Sequence, residues 1–353
     1  SPWIDNLRRG YLTSGQLQGL VDRGVRGLPS NPTIFQKAIQ GSTEYDVQFD
    51  ALARTGMSVE DIYWELVLDD IAGALSVFRP LYDSSNGSDG FVSVEVDPSL
   101  AHDTPGTLSA ARLLHERISR PNVMIKIPAT QQGLPAIREM IAEGRNVNVT
   151  LIFSLSRYQE VMDAYIEGLE QRMASGSPVS NIASVASFFI SRVDNEIDKR
   201  LDQLGTPSAL ALRGTAADNQ ARLAYAAFQK TFSGPRWEAL AKAGALVQRP
   251  LWASTSTKNP SYPDTMYVDQ LIGPDTVNTL PDATLEAFSD HGTLGRTIDQ
   301  NLAISKRQWA ELAMNAIDVD EVAAQLEDEG VASFIKSFDE LIGVLEDKAV
   351  GIS

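Results

Sequence analysis

Apolar and polar residues alternate with a period of two in three successive stretches of this 353-residue chain. In residues 91–97, Val92, Val94 and Val96 share one face and Ser93, Glu95 and Asp97 the other; in 122–128, Val123, Ile125 and Ile127 oppose Met124 and Lys126. In 147–153, Val147, Val149 and Leu151 oppose Asn148, Thr150 and Ile152. That period puts the two sets on opposite faces of a strand. Between these runs the spacing changes to the helical one. Ser58 and Asp61 form a capping box ahead of Ile62, Leu66, Ile71, Leu75 and Phe78. A second helix is expected from Ser156, with Gln159 as capping partner, Val161, Tyr165 and Leu169 as the buried stripe and Gly176 as the stop. Further β-branched runs occupy 185–190, 246–254 and 276–280, and short ones 3–5 and 27–31, which makes eight candidate strands alternating with helices. Alternation of this kind favours parallel strands.

Doubly wound sheets and closed barrels share that order, but a doubly wound strand has helices on both faces and is apolar on both. Barrel strands turn one face to helices and the other inward. Three consecutive strands with a polar inner face therefore predict an α/β architecture of the (β/α)8 TIM-barrel type with additional helices. The connection 192–245 is long and helix-rich without a shift in composition, so one barrel domain over 1–353 is expected, with C-terminal helices from about residue 283. In such barrels the C-terminal strand ends carry the active site. Glu95, Lys126, Asn148 and Thr150 should converge there.

The net charge of −16 and pI near 4.6, without a Lys/Arg-rich block, argue against nucleic acid or an anionic membrane as partner. Residues 318–353 hold ten acidic residues against Lys336 and Lys348, half of the net charge. Spaced apolar residues, among them Val322, Leu326, Phe334, Phe338, Leu341 and Leu345, mark that segment as an acidic amphipathic helix with a solvated face. The chain has no cysteine, which excludes disulfides and thiolate chemistry, and its three histidines lack ligand spacing, so no metal is expected. Nor is there a Gly-rich dinucleotide fingerprint or Walker loop, and no cofactor is implied. With neither a signal-like start nor an apolar run near the ~18 residues of a membrane span, a cytoplasmic protein with small-molecule partners is expected, monomeric or homodimeric.

Lys126, flanked by Ile125 and Ile127, stands where its charge should be poorly solvated. It is either an edge lysine snorkelling to water or an amine that attacks a carbonyl and, as a Schiff base, makes a ketone an electron sink for metal-free carbon–carbon cleavage. Glu95 favours the second reading, because it has the same parity on the preceding strand. To avoid holding Lys126 protonated, the carboxylate should act largely through a bridging water, which Thr150 could hold. Asp5 is a base for a substrate hydroxyl or a helix cap. Arg192 and Lys258, the latter near Ser254 and Ser256, are phosphate-binding cations or ordinary surface charges.

Read in order, "WIDNLRR", "SNPTIF", "VSVEVDP", "VMIKIPAT", "VNVTLIFS", "SVASFFISRV", "LWASTSTKNP" and "VNTLP" resemble the transaldolase family over roughly residues 3–350, in particular its actinobacterial branch. The resemblance implies a transferase that uses a (β/α)8 barrel to move a dihydroxyacetone unit from sedoheptulose 7-phosphate to glyceraldehyde 3-phosphate, giving erythrose 4-phosphate and fructose 6-phosphate in the pentose phosphate pathway. Motif by motif, Lys126 matches the Schiff-base lysine, Glu95 the acid/base acting through water, Asp5 the group exchanging a proton with the donor's C4 hydroxyl, and Thr150 the water-positioning threonine. Asn31, Asn148 and Ser187 match residues that bind the dihydroxyacetone hydroxyls, and Arg192 matches the phosphate-binding arginine. Phe189 falls where related fructose 6-phosphate aldolases carry tyrosine, which favours transfer over simple cleavage. One segment departs from the pattern. The family's "ASxRN" appears as "ASTSTKN", so Ser254 aligns, while Lys258 stands for an arginine after two extra residues and loses bidentate geometry. The competing readings are an aldolase that releases dihydroxyacetone and a sugar-phosphate-binding barrel without turnover.

Overall fold

A computed structural model describes residues 1–350, and each of the eight expected runs overlaps a strand. They are β1 (Pro2–Ile4), β2 (Gly27–Leu28), β3 (Phe91–Glu95), β4 (Val123–Pro128), β5 (Val147–Ile152), β6 (Ser184–Phe189), β7 (Gln248–Ala253) and β8 (Val277–Leu280). All pair in parallel, in the order β1-β8-β7-β6-β5-β4-β3-β2. The two ends of that order meet where the Arg26 N–H donates to the Pro2 carbonyl at 2.8 Å. The indole of Trp3 crosses this seam over Gly27, where a Cβ would stand 2.4 Å from the ring. Glycine is what lets the seam close, and β2 is shorter than its apolar run suggested. The result is a nearly closed (β/α)8 barrel.

Strand parity follows the sequence. Ser93, Glu95, Lys126 and Asn148 are buried on the inner side, and Asn148 Nδ2 reaches across the barrel to Ser93 Oγ at 3.0 Å. Outside, the Phe188 ring packs edge-on against Tyr158 at 5.7 Å and against Trp252 at 6.3 Å. Burying one such ring contributes about 1.5–3 kcal/mol. Alternation fails at one place. Leu151 has φ 60, and the register shifts between Val149 and Ile152, so that Ile152 pairs with Phe188 and turns outward instead of inward. A bulge leaves one residue unpaired and re-aims those after it.

Helix starts follow local capping chemistry. Ser58 Oγ accepts the Asp61 N–H at 3.1 Å and opens the helix Val59–Ser84. The helix Leu155–Ala174 is capped by Ser154, whose Oγ accepts the Arg157 N–H at 3.0 Å, and not by Ser156. Both serines are capping residues by type; Ser154 has the extended backbone that an N-cap needs. The helices Ser191–Leu204, Pro207–Leu210, Ala216–Thr231 and Pro235–Lys242 fill the long connection between β6 and β7. Beyond β8 come Asp282–His291, Leu302–Met314 and Val319–Val350. That last helix buries Val322, Leu326, Phe334, Phe338, Leu341 and Leu345, while Glu321 and Glu327 pair with Arg200 and Arg157. Its acidic side is therefore partly engaged with the barrel rather than wholly solvated. Among the described residues no helix is long and apolar enough to cross a membrane.

Candidate active site

A cavity of about 630 Å³ opens at the C-terminal ends of the strands. Lys126 sits at its floor, with 4% of its surface exposed. Its place is set by pairing, since Glu95 of β3 and Lys126 of β4 are register partners. Nζ donates to the Ser30 carbonyl at 3.1 Å and lies 2.9 Å from Glu95 Oε2. The carboxylate and the amine thus meet directly, and the water expected between them does not fit that separation. Burial pushes the Glu95 carboxyl up from its usual range, against the pull of Lys126. Removing either partner alone would leave a buried charge uncompensated, a change that typically costs about 3–5 kcal/mol.

Asp5 follows β1 and is anchored by its N–H to the Leu280 carbonyl at 2.8 Å. It is half-buried, lines the cavity and has no side-chain cap role. Burial pushes its carboxyl up too, opposed by Lys126, Lys37 and Arg192. Thr150 completes the floor, its Oγ1 enclosed without a hydrogen-bond partner among the described residues.

Asn148 lies one layer deeper than expected. It does not line the cavity; its Nδ2 donates to Ser93 Oγ at 3.0 Å and its Oδ1 accepts from Ser187 Oγ at 2.7 Å. Ser187, which does line the cavity, has therefore committed its proton and offers lone pairs upward. Asn31 faces the cavity from the start of the helix Pro32–Ile39, where its Oδ1 caps the Ile34 N–H at 2.9 Å.

The other wall is cationic. The Arg192 guanidinium lies 5.1 Å from the centre of the Phe189 ring, and Phe189 in turn packs on Phe153 at 5.0 Å. No ion pair involves Arg192 among the described residues; burial lowers its proton affinity, while Glu329 and Asp5 raise it. Ser254, at φ 56, brings its Oγ 2.9 Å from Ser191 Oγ, and Lys258 Nζ donates to Ser256 Oγ at 2.6 Å. All of Arg192, Ser254, Ser256 and Lys258 border the cavity.

A family profile described as Transaldolase/Fructose-6-phosphate aldolase matches residues 2–345. The chain belongs to that family. It is 52% identical to the transaldolase of Parafrankia sp. (strain EAN1pec) over 98% of this chain and 94% of that one. It is also 51% identical to transaldolase 1 of Streptomyces avermitilis, covering 97% and 91%, and 50% identical to the transaldolase of Mycobacterium leprae, covering 97% and 92%.

Within this family member, nine of the eleven residues expected at the site border one cavity; Glu95 and Asn148 stand behind its floor. The site also contains residues that sequence reasoning missed. Lys37 lines it from the outer end of the helix Pro32–Ile39, and Ser333 and Phe334 reach it from the C-terminal helix. Asp282 lines it as well, held by Asn6 Nδ2 at 2.6 Å and the Tyr11 hydroxyl at 2.8 Å. Phe334 had been visible only as one apolar position among several in a helical stripe. The SNPTIF segment drew attention to Asn31, but nothing in its pattern set Lys37 apart from a surface lysine.

Proposed function

We propose that this chain is a transaldolase in which Lys126 carries a dihydroxyacetone unit from a ketose phosphate to an aldose phosphate. The observation that carries the reading is the enclosed Lys126–Glu95 contact of 2.9 Å at the floor of a cavity with a cationic wall. Glu95, whose proton affinity burial has raised, takes a proton from the amine and frees its lone pair. Nζ then bonds to C2 of the donor, the carbonyl oxygen departs as water with protons routed through Glu95, and a cationic iminium remains. Thr150 supports this step as the hydroxyl that orients the water.

Asp5 takes the proton of the C4 hydroxyl. The C3–C4 electron pair becomes the C2–C3 double bond, the C2–N pair returns to nitrogen, and an aldose phosphate leaves. The enamine, still bonded to Lys126, attacks the carbonyl carbon of the acceptor, and the same steps run in reverse. The Ser187 lone pairs and Asn31 suit the hydroxyls of the three-carbon unit, with Asn148 fixing the orientation of Ser187. Arg192, Ser254 and Lys258 suit the phosphate, which each sugar presents in turn. Phe189 offers no hydroxyl to protonate the enamine, which supports transfer over release of dihydroxyacetone.

The test is to incubate the protein with fructose 6-phosphate, reduce with borohydride and map the adduct by mass spectrometry. Label on Lys126 is expected, with none in Lys126→Met; label on another lysine, or none at all, would refute the mechanism. Supplying erythrose 4-phosphate should yield sedoheptulose 7-phosphate. Free dihydroxyacetone in the absence of an acceptor would instead support an aldolase.

A further inference from the structure

The C-terminal helix Val319–Val350 crosses the cavity, and three of its turns do different things there. At Gly330 it passes so close to Leu151 that a Cβ there would stand 2.9 Å from Cδ2, with Arg192 Nη1 in ordinary contact range at 3.6 Å, and at Ser337 its hydroxyl lies 2.8 Å from Thr33 Oγ1 on the opposite rim. Between those anchors the Phe334 ring covers the lysine, with Nζ 5.5 Å from its centre. Phe334 and Lys126 are each 4% exposed, so the ring is fixed by packing and meets Nζ where both groups are largely withdrawn from solvent. A cation over an aromatic face is attracted by the ring quadrupole, and more strongly when desolvated. Neutral nitrogen gains far less.

That asymmetry bears on the reaction, and the argument rests on the transaldolase reading above. During the donor half-reaction the nitrogen alternates between a cationic iminium, with C2 bonded to Nζ and the carbonyl oxygen gone as water, and a neutral enamine after C3–C4 cleavage. We infer that Phe334 is a positioning residue for catalysis, which acts through Nζ to hold the covalent intermediate in its iminium form. Glu95 supplies a negative charge on one side of the nitrogen and Phe334 a π face on another. The ring can do this without accepting the proton that a second carboxylate would take.

The experiment compares the unmodified protein, Phe334→Leu, and a protein with 3,4,5-trifluorophenylalanine at position 334, a near-isosteric ring with its quadrupole largely cancelled. Each is held with saturating fructose 6-phosphate and no acceptor, then quenched with borohydride, which reduces iminium and not enamine. The readout is the ratio of Lys126 carrying the reduced adduct to unlabelled Lys126. Both replacements should lower that ratio by about 3–10-fold, the range expected for a partly desolvated cation–π contact. Equal ratios in all three proteins overturn the inference while leaving the mechanism intact. A drop in Phe334→Leu without one in the fluorinated protein also overturns it, since packing alone would then be responsible. Absence of label on Lys126 in the unmodified protein defeats both this inference and the mechanism.

Discussion

Asp218 occupies the first turn of the helix Ala216–Thr231, nearly enclosed, with Oδ1 lacking any hydrogen-bond partner among the described residues. Burial and the neighbouring Asp194 push its carboxyl up to about 8, and Arg222 offsets only part of this. Asp194 is better provided for, accepting the Ala217 N–H and the Tyr267 hydroxyl at 2.7 Å each, and burial raises it only to about 6. The sign of the linkage is set by the folded value lying above the unfolded one of ~3.9. Between those values the folded chain keeps a proton on Asp218 that the unfolded chain releases, so this stabilisation is complete below about pH 4 and is lost progressively as pH rises from there to about 8. Asp218→Asn should therefore match the parent near pH 3, draw ahead of it steadily above about pH 4, and exceed it near pH 9 by about 2–5 kcal/mol in urea unfolding. Parallel stability profiles for the two proteins would show that the fold leaves the proton affinity of Asp218 at its unfolded value. Nothing in "TAADNQARL" marks this aspartate as buried, because its enclosure brings it beside Asp194 and Tyr267, which are distant in sequence.

At the level of elements, the barrel was readable where one periodicity held without interruption. β3 and β4 alternate cleanly, so the facing of Glu95 and Lys126 followed from parity, although parity could not tell direct contact from contact through water. The turn of β5 at Leu151 was hidden, since "VNVTLIF" contains no glycine to signal a bulge. The C-terminal helix was readable as a helix, but its apolar stripe could not distinguish Phe334 at the site from Phe338, which packs edge-on against Tyr63 at 5.1 Å. How that helix docks is testable at Gly330. A Cβ there would stand 2.9 Å from Leu151 Cδ2 and 3.6 Å from Arg192 Nη1. Alanine gains about 0.5–1 kcal/mol in helix preference over glycine, and overpacking costs about 1–3 kcal/mol. The second effect is larger, because Leu151 is held in the bulge and has little room to withdraw. Gly330→Ala should lower stability by about 1 kcal/mol through its push on Leu151, with KM for fructose 6-phosphate little changed, since 3.6 Å from Arg192 Nη1 is ordinary van der Waals contact. A protein at least as stable as the parent would mean that the helix stands off the barrel.

For the whole molecule, charge acts at two ranges with opposite signs. On the mechanism proposed above, the net −16 repels an anionic sugar at a distance, while Arg192, Lys258 and Lys37, which border the cavity, attract its phosphate once it arrives. The screening length falls from about 30 Å at 0.01 M salt to about 10 Å at 0.1 M and about 3 Å at 1 M. The long-range repulsion is therefore weakened first and the short-range attraction last. KM for fructose 6-phosphate should fall as salt rises from about 0.01 to 0.1 M and climb again towards 1 M, with a minimum between them. Unphosphorylated fructose, lacking the charge, should show neither limb. Arg192→Gln should keep the low-salt fall and flatten the high-salt rise, because it removes a local cation while changing the total charge by only one unit. If KM for the parent decreases steadily over the whole range, the net charge governs approach and the cationic wall has little part in holding the phosphate.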